Sequence, residues 1–146
     1  MNTIYTLSTA DLTRAWHIEK RAHAFPWSEQ TLASNQGERY RNYQLSVDGE
    51  MAAFAITQVV LDEATLFNIA VDPAYQRRGL GRALLEHVND EVENLGVVTL
   101  WLEVRAYNVA AIALYESVGF NEATIRRNYY PTADGPEAAI FMALPI

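Results

Sequence analysis

Residues 71–85 read VDPAYQRRGLGRALL, and this stretch is the strongest indication of the fold. An apolar strand runs here into a turn with two glycines and then directly into an amphipathic helix. Gly79 and Gly81 let the backbone approach a ligand closely, and the first N–H groups of the helix point towards it. The helix dipole and three neighbouring arginines add positive charge. The stretch therefore predicts a phosphate-binding loop, although an ordinary turn with a solvated basic rim has the same pattern.

Two well-known phosphate loops do not fit this stretch. A nucleotide-triphosphate loop ends in Gly-Lys-Ser/Thr, whereas Gly81 is followed by Arg82 and Ala83. A dinucleotide-binding fingerprint has a third glycine where Leu84 stands. The spacing Gln/Arg-x-x-Gly-x-Gly/Ala, which begins at Gln76, instead resembles the pyrophosphate loop of the acetyl-CoA-dependent N-acetyltransferases of the GNAT superfamily.

The composition predicts one globular domain over residues 1–146. Half of the residues are hydrophobic and 20% are charged, which argues against disorder. The longest apolar run, residues 51–56, is far shorter than the ~18–20 residues of a membrane span. The N-terminus has neither the basic flank nor the apolar core of a signal peptide. We therefore expect a cytoplasmic protein with no membrane partner.

Charge and residue usage restrict the function further. The net charge of −7 and the pI near 4.9 argue against nucleic acid as a partner and favour a cationic one, although acidity also serves solubility alone. The chain has no cysteine, which excludes disulfides, thiolate metal ligands and a cysteine nucleophile. Its histidines, His17, His23 and His87, lack ligand spacing, so no metal is expected.

The hydrophobic patterns alternate between strands and helices. We expect strands at 3–7, 42–48, 51–60, 65–71, 97–104, 120–128 and 137–144, and helices after Ser8 or Thr9, after Ser28, at 79–95 and at 108–118. Asp48-Gly49 predicts a tight hairpin turn. The central strand–helix–strand–helix–strand run implies a right-handed parallel crossover, whereas the start and the end of the chain are antiparallel. The predicted fold class is therefore α/β, with a mixed (α+β) central sheet and helices on both faces.

A second motif lies further along the chain. Residues 108–120 read NVAAIALYESVGF, which resembles the other characteristic GNAT segment, Asn-x-x-Ala-x-x-Leu-Tyr-x-x-x-Gly-Phe. The pieces FPWS (25–28), LEVR (102–105) and RRNYYP (126–131) resemble the branch of the superfamily that acetylates the N-terminal alanine of a small-subunit ribosomal protein. The resemblance covers essentially the whole chain. It implies a single GNAT domain, acetyl-CoA as cosubstrate, and the N-terminal segment of a basic ribosomal protein as partner.

Three polar residues of these segments are candidates for the chemistry. Strand alternation turns Glu103 away from the apolar face of its strand, at the carboxyl end, where open sheets bind ligands. From the pattern alone, Glu103 is also consistent with a solvated carboxylate or with an ion-pair partner of Arg105. Tyr115 lies two helical turns after Asn108, so both face the same side. From the pattern alone, Tyr115 is also consistent with a core aromatic and Asn108 with a helix N-cap. The resemblance makes Glu103 the general base, Tyr115 the general acid that protonates the CoA thiolate, and Asn108 a CoA contact.

The chemistry of amine acetylation requires such groups. A peptide α-amine has a pKa of about 7.7–8, so it is mostly protonated near neutral pH and a base must take a proton before it attacks. Glu103, directly or through a water, is the expected base, and a backbone N–H of residues 69–71 is expected to stabilise the oxyanion. Because no cysteine can carry the acetyl group, direct attack in a ternary complex is preferred.

The remaining expectations concern binding. The expected CoA-binding residues are Ile69, Ala70, Val71, Gln76, Arg77, Arg78, Gly79, Leu80, Gly81, Arg82 and Asn108. By resemblance, Trp27 and the hairpin residues Tyr129 and Tyr130 grip the first residues of the peptide, although such aromatics are also typical loop anchors. Two alternatives stay open: an acetyltransferase of a lysine side chain, polyamine or other small amine, and a non-catalytic acyl-CoA-binding module. The presence of both Glu103 and Tyr115 argues against the second.

Overall fold

The computed structural model describes the backbone of residues 1–130 and 137–146 and the side chains of residues 1–126 and 138–146. The strands are β1 (Asn2–Thr6), β2 (Tyr43–Val47), β3 (Glu50–Val60), β4 (Glu63–Val71), β5 (Thr99–Arg105), β6 (Asn121–Tyr130) and β7 (Glu137–Pro145). The helices are α1 (Leu12–Ala22), α2 (Glu29–Ser34), α3 (Leu80–Asn94) and α4 (Val109–Val118), with short 3-10 turns at Thr9–Asp11 and Pro73–Tyr75. In this described part of the chain, no helix is both long and apolar enough to cross a bilayer.

The strands form one mixed sheet in the order β1-β2-β3-β4-β5-β7-β6. Only β4 and β5 pair in parallel, and the other neighbours are antiparallel. The predicted mixed sheet, with antiparallel strands at the start and end of the chain, is therefore confirmed. The last strand, β7, lies between β5 and β6, an insertion that the order of elements along the chain did not indicate.

The parallel pair β4–β5 separates before either strand ends. The ladder joins residues 63–66 to residues 99–102, whereas β4 continues along β3 to Val71 and β5 continues along β7 to Arg105. A register shift opposite residues 56 and 57 of β3 marks an irregularity in β4, and such irregularities bend and twist a strand. The result is a gap at the carboxyl ends of two adjacent parallel strands.

The two faces of the sheet carry separate cores, each covered by helices. Ala53 and Ala55 of β3 belong to the core under α3 and α4, whereas Phe54 and Ile56 belong to the core under α1 and α2. Successive side chains of a strand point to opposite faces, so β3 is buried on both sides. The prediction of helices on both faces is confirmed.

The tight turn between β2 and β3 also matches its sequence signal. Val47 pairs with Glu50, which leaves Asp48 and Gly49 as a two-residue loop with φ of 51° and 87°. Positive φ at both positions is the geometry of a type I′ hairpin, which Asp-Gly favours. The turn keeps β2 beside β3 and thus aligns the half of the sheet on which α1 packs.

Candidate active site

The predicted phosphate loop borders a groove of about 490 Å³ at the gap between β4 and β5. Of the residues expected to bind CoA, the groove is lined by Ile69, Ala70, Val71, Gln76, Arg77, Gly79, Leu80, Gly81, Arg82 and Asn108. Arg78 is not among the lining residues, and its guanidinium lies 5.2 Å from the centre of the Tyr75 ring. The structure therefore brings the expected residues together with that one exception.

The two glycines of the loop differ in backbone conformation and in their surroundings. Gly79 is the N-cap of α3 with φ of 76°, a left-handed conformation that favours glycine. A Cβ built there meets no heavy atom within 4 Å, whereas one at Gly81 meets side-chain atoms of Leu114 and Val71 at 3.5 and 3.6 Å. Gly79 thus shapes the turn and leaves its surroundings open, whereas at Gly81 a Cβ would make only ordinary van der Waals contacts with α4 and β4.

The positive charge of the loop is divided between the groove and the helix surface. Arg77 lines the groove. Arg82 also lines it, but its Nη1 donates to Ser117 Oγ at 2.8 Å and its Nε lies 3.6 Å from Glu86 Oε1, so it also ties α3 to α4. The first-turn N–H groups of α3 have no partner within the helix. Together with the open space at Gly79, this set fits a pyrophosphate.

A buried carboxylate anchors the start of the loop. Asp72 is 1% exposed and accepts from Arg14 Nη2 at 3.1 Å and from the backbone N–H of Ala74 at 3.0 Å. Arg21 Nη1 lies 3.0 Å from Asp72 Oδ1, the oxygen that also accepts from Ala74. Helix α1 is therefore clamped to the end of β4, a contact that the sequence analysis missed. The only local signal was the helix-capping pair Asp72-Pro73.

A second cavity, of about 270 Å³, lies beside the groove, and we refer to it as the acceptor cavity. Glu103 at the end of β5 lines it, as do Trp27 and Tyr115. Four residues line both the groove and the acceptor cavity: His23, Ile69, Asn108 and Tyr115. The two spaces thus meet at the point where β4 and β5 separate, and the sequence-predicted pair Glu103 and Tyr115 faces one cavity.

Tyr115 is the more buried of the two ionisable residues, His23 and Tyr115, that line both spaces. Its side chain is 8% exposed, and its ring packs edge-on against Phe120 with centroids 5.9 Å apart. Burial raises its pKa from 10.0 to about 12, so the phenol stays protonated at any physiological pH. Asn108 caps α4 by accepting from the backbone N–H of Ala111 at 3.3 Å, which holds the first turn of α4 against the groove.

A hydrogen-bonded network that sequence reasoning missed forms one wall of the acceptor cavity. Glu19 is 1% exposed and accepts from Asn68 Nδ2 at 2.8 Å and from the backbone N–H of Trp27 at 2.9 Å. The Asn68 Oδ1 lies 3.0 Å from His23 Nε2. Two signals were available: Glu19 and His23 lie four residues apart on one helix face, and Asn68 interrupts an apolar strand.

Of the three residues expected to bind the peptide, the structure describes the side chain of Trp27. Trp27 lines the acceptor cavity and also an adjoining cavity of about 500 Å³, which Phe67, Trp101 and Phe141 line as well. The side chains of Tyr129 and Tyr130 lie outside the described residues. Among the residues described, no three His, Asp or Glu side chains are arranged to hold a metal.

The site is thus built on a glycine-rich loop at the gap between two diverging parallel strands. The Acetyltransferase (GNAT) family matches residues 1–120, and the chain belongs to this family. The chain is 79% identical over 146 residues to the ribosomal protein bS18-alanine N-acetyltransferase of Escherichia coli K12, covering 100% of this chain and 99% of that protein. It is 50% identical over 142 residues to the protein of the same name from Haemophilus ducreyi, covering 97% and 98% of the two chains.

Solved structures agree with these relationships. The crystal structure of the ribosomal-protein-S18-alanine N-acetyltransferase from Escherichia coli superposes with a TM-score of 0.97 at 79% identity, covering 100% of this chain and 94% of that one. Ard1 from Thermoplasma volcanium shares the fold, with a TM-score of 0.88 at 23% identity and coverage of 99% and 97%. The resemblance that two sequence motifs carried is therefore confirmed.

Proposed function

We propose that this chain transfers the acetyl group of acetyl-CoA to the α-amine of the N-terminal alanine of ribosomal protein bS18. The observation that supports the proposal is the junction of the groove and the acceptor cavity at Tyr115, because it offers acetyl-CoA and an amine adjoining spaces. The relative named for this activity is 79% identical over the whole chain. In this proposal residues 1–146 act as one domain in the cytoplasm, without a metal and without binding nucleic acid or membrane.

The groove is assigned to acetyl-CoA. Gly79, Gly81 and the N-terminal turn of α3 receive the pyrophosphate, because their N–H groups and the helix dipole favour an anion. Arg77 adds a cation at the same wall. Beyond residues 66 and 102 the β4–β5 ladder ends, so the edge of β4 at residues 69–71 offers backbone N–H groups to the carbonyl oxygen as negative charge develops on it.

Glu103 and Tyr115 are assigned to the proton transfers. Glu103 removes a proton from the α-ammonium, directly or through a water. Tyr115 donates its hydroxyl hydrogen to the departing sulfur. A thiol has a pKa of about 8.5, so complete transfer from a phenol of pKa about 12 is uphill by roughly 5 kcal/mol. Tyr115 is therefore expected to stabilise the forming thiolate first as a hydrogen-bond donor.

The choice of an α-amine over a lysine side chain has an energetic basis. Near neutral pH an α-ammonium costs about 1 kcal/mol to deprotonate, whereas a lysine ammonium of pKa about 10.4 costs roughly 4 kcal/mol. A single carboxylate supplies the smaller amount more readily. The net charge of −7 also raises the local concentration of a basic ribosomal peptide.

The test compares one basic, alanine-initiated peptide with a free or a chemically blocked N-terminus, each incubated with acetyl-CoA and analysed by fragmentation mass spectrometry. We expect one acetyl group on the α-nitrogen of the free peptide and none on the blocked peptide. Acetylation of the blocked peptide at the same rate would identify lysine as the acceptor. Binding of acetyl-CoA without modification of either peptide would indicate a non-catalytic module.

A further inference from the structure

The network beneath the acceptor cavity has a defined direction. The Glu19 carboxylate is buried and only accepts hydrogen bonds, so the amide group that faces it at 2.8 Å must be the NH₂ of Asn68. The Asn68 oxygen then faces His23 Nε2 at 3.0 Å, and Glu19 Oε1 lies 3.5 Å from the same nitrogen. Because an amide oxygen cannot donate, Nε2 carries a hydrogen.

This arrangement selects one form of the His23 ring. With its hydrogen on Nε2, a neutral imidazole has its lone pair on Nδ1, which is then the nitrogen that accepts a proton. Glu19 is itself held by the backbone N–H of Trp27. Asn68 belongs to β4 and Glu19 to α1, so the ring is oriented by two separate elements of the fold.

The position of His23 brings its ring to the meeting point of the two spaces. It is one of the four residues that line both the groove and the acceptor cavity, together with Ile69, Asn108 and Tyr115. Its side chain is 32% exposed, so the ring touches the cavity and also has a route to solvent. The ring therefore borders the place where, in the proposed function, an amine meets the acetyl group.

The overall reaction requires a second proton acceptor. An α-ammonium carries three N–H bonds and the amide product carries one, so two protons leave the nitrogen. The CoA sulfur gains one proton, through Tyr115 in the proposed mechanism. Tyr115 must then regain a hydrogen, and it does so with the proton that Glu103 takes from the nitrogen and passes on. The other proton from the nitrogen is the one released overall, and it has no assigned acceptor.

We propose that His23 is this second proton acceptor, and this inference rests on the proposed function. One N–H bond of the reacting amine breaks, an Nδ1–H bond forms on His23, and the electron pair stays on the amine nitrogen. The imidazolium then releases its proton to solvent. Glu19 and Asn68 are positioning residues that act through His23.

Other ionisable groups share these two spaces with His23 and contribute to any pH profile. They are Glu19 on the same helix; Glu103, Arg105 and Tyr107 on β5 and the loop after it; Tyr115 on α4; and Tyr75, Arg77 and Arg82 around the phosphate loop. A single pH profile of the wild-type protein therefore does not isolate His23. A comparison between matched variants isolates the contribution of His23.

The test uses His23→Gln, because a glutamine amide still donates to Asn68 but cannot take up a proton. The control is His87→Gln: His87 has a similar side-chain exposure of 29%, packs against Tyr43 and lines neither cavity. For each protein, kcat and the KM values for acetyl-CoA and the alanine-initiated peptide are measured between about pH 5.5 and about pH 9.

We expect His23→Gln to lower kcat on the order of 10²-fold and to remove one ionisation from its pH profile, with an unchanged KM for acetyl-CoA. His87→Gln should keep the wild-type kcat and profile. Asn68→Ala is the second variant: it keeps the imidazole but removes its orienting acceptor, so kcat should fall while the ionisation stays.

Three results would overturn the role of His23. They are a kcat within about twofold of wild type in His23→Gln, a rise in the peptide KM without a fall in kcat, and an unaltered pH profile. If His23→Gln does not fold, a folded Asn68→Ala protein with wild-type kcat overturns the proposed orientation. A wild-type protein that does not acetylate the peptide refutes the proposed function, and with it this inference.

Discussion

Replacing Tyr115 with phenylalanine removes one hydroxyl from the junction of the two cavities and has two separate consequences. The first is catalytic. A hydrogen bond to a charged group is worth about 1.5–3 kcal/mol, and each 1.36 kcal/mol of barrier is a factor of ten in rate. We therefore expect kcat to fall roughly 10- to 10²-fold, and further if complete proton transfer also contributes. Acetyl-CoA affinity should be unchanged in calorimetry.

The second consequence is on stability at alkaline pH. Burial raises the pKa of Tyr115 from 10.0 to about 12, so between these values the unfolded state loses the phenolic proton while the folded state keeps it. Stability then falls as pH rises. At 1.36 kcal/mol per pH unit the full loss is about 2.7 kcal/mol, and about half of it is reached by pH 11. Tyr115→Phe lacks this loss.

Urea unfolding of both proteins between about pH 8 and about pH 11 measures the effect. The difference in the free energy of unfolding, wild type minus variant, cancels the titration of all other groups. We expect this difference to shift by about 1.4 kcal/mol in favour of the variant at the upper end. A pH-independent difference would refute the buried, neutral phenol, and a kcat within about twofold of wild type would refute its role as acid.

Three further experiments, with four variants in all, test other parts of the site. Glu103→Gln should lower kcat by 10²–10⁴-fold, as is typical of a lost general base, with unchanged acetyl-CoA affinity; near-wild-type turnover would reject that role. Gly79→Val forces a β-branched side chain into a left-handed turn at the groove and should weaken CoA binding in calorimetry, whereas Gly81→Ala meets its neighbours at ordinary distances of 3.5 and 3.6 Å and should bind normally. Asp72→Asn should cost about 2–3 kcal/mol in urea unfolding, less than a fully buried pair, because Arg14 and Arg21 are 31% and 44% exposed; an unchanged midpoint would show that the clamp on α1 contributes nothing.

The local elements and both motifs followed from the sequence, because each depends on residues that are neighbours along the chain. Alternation in residues 99–104 separated the exposed Glu103 from the buried Leu100, Leu102 and Val104, since strand side chains have a period of two. The Asp48-Gly49 turn and the capping of α4 by Asn108 are equally local. Helical spacing also placed Asn108 and Tyr115 on one side, and both line the junction.

Pairings between distant segments needed the tertiary structure. The insertion of β7 between β5 and β6 and the end of the β4–β5 ladder at residues 66 and 102 depend on which strands compete for each edge. The hydrophobic periodicity of a single strand indicates neither the insertion of β7 nor the end of the ladder. Together these two features open the gap that forms the site. Likewise, the sequence analysis assigned His23 no role, because the histidines are not spaced as metal ligands. It became part of a network only when α1 packed on β4 and brought Asn68 within 3.0 Å, because a hydrogen bond between residues 45 positions apart depends on packing rather than on local pattern.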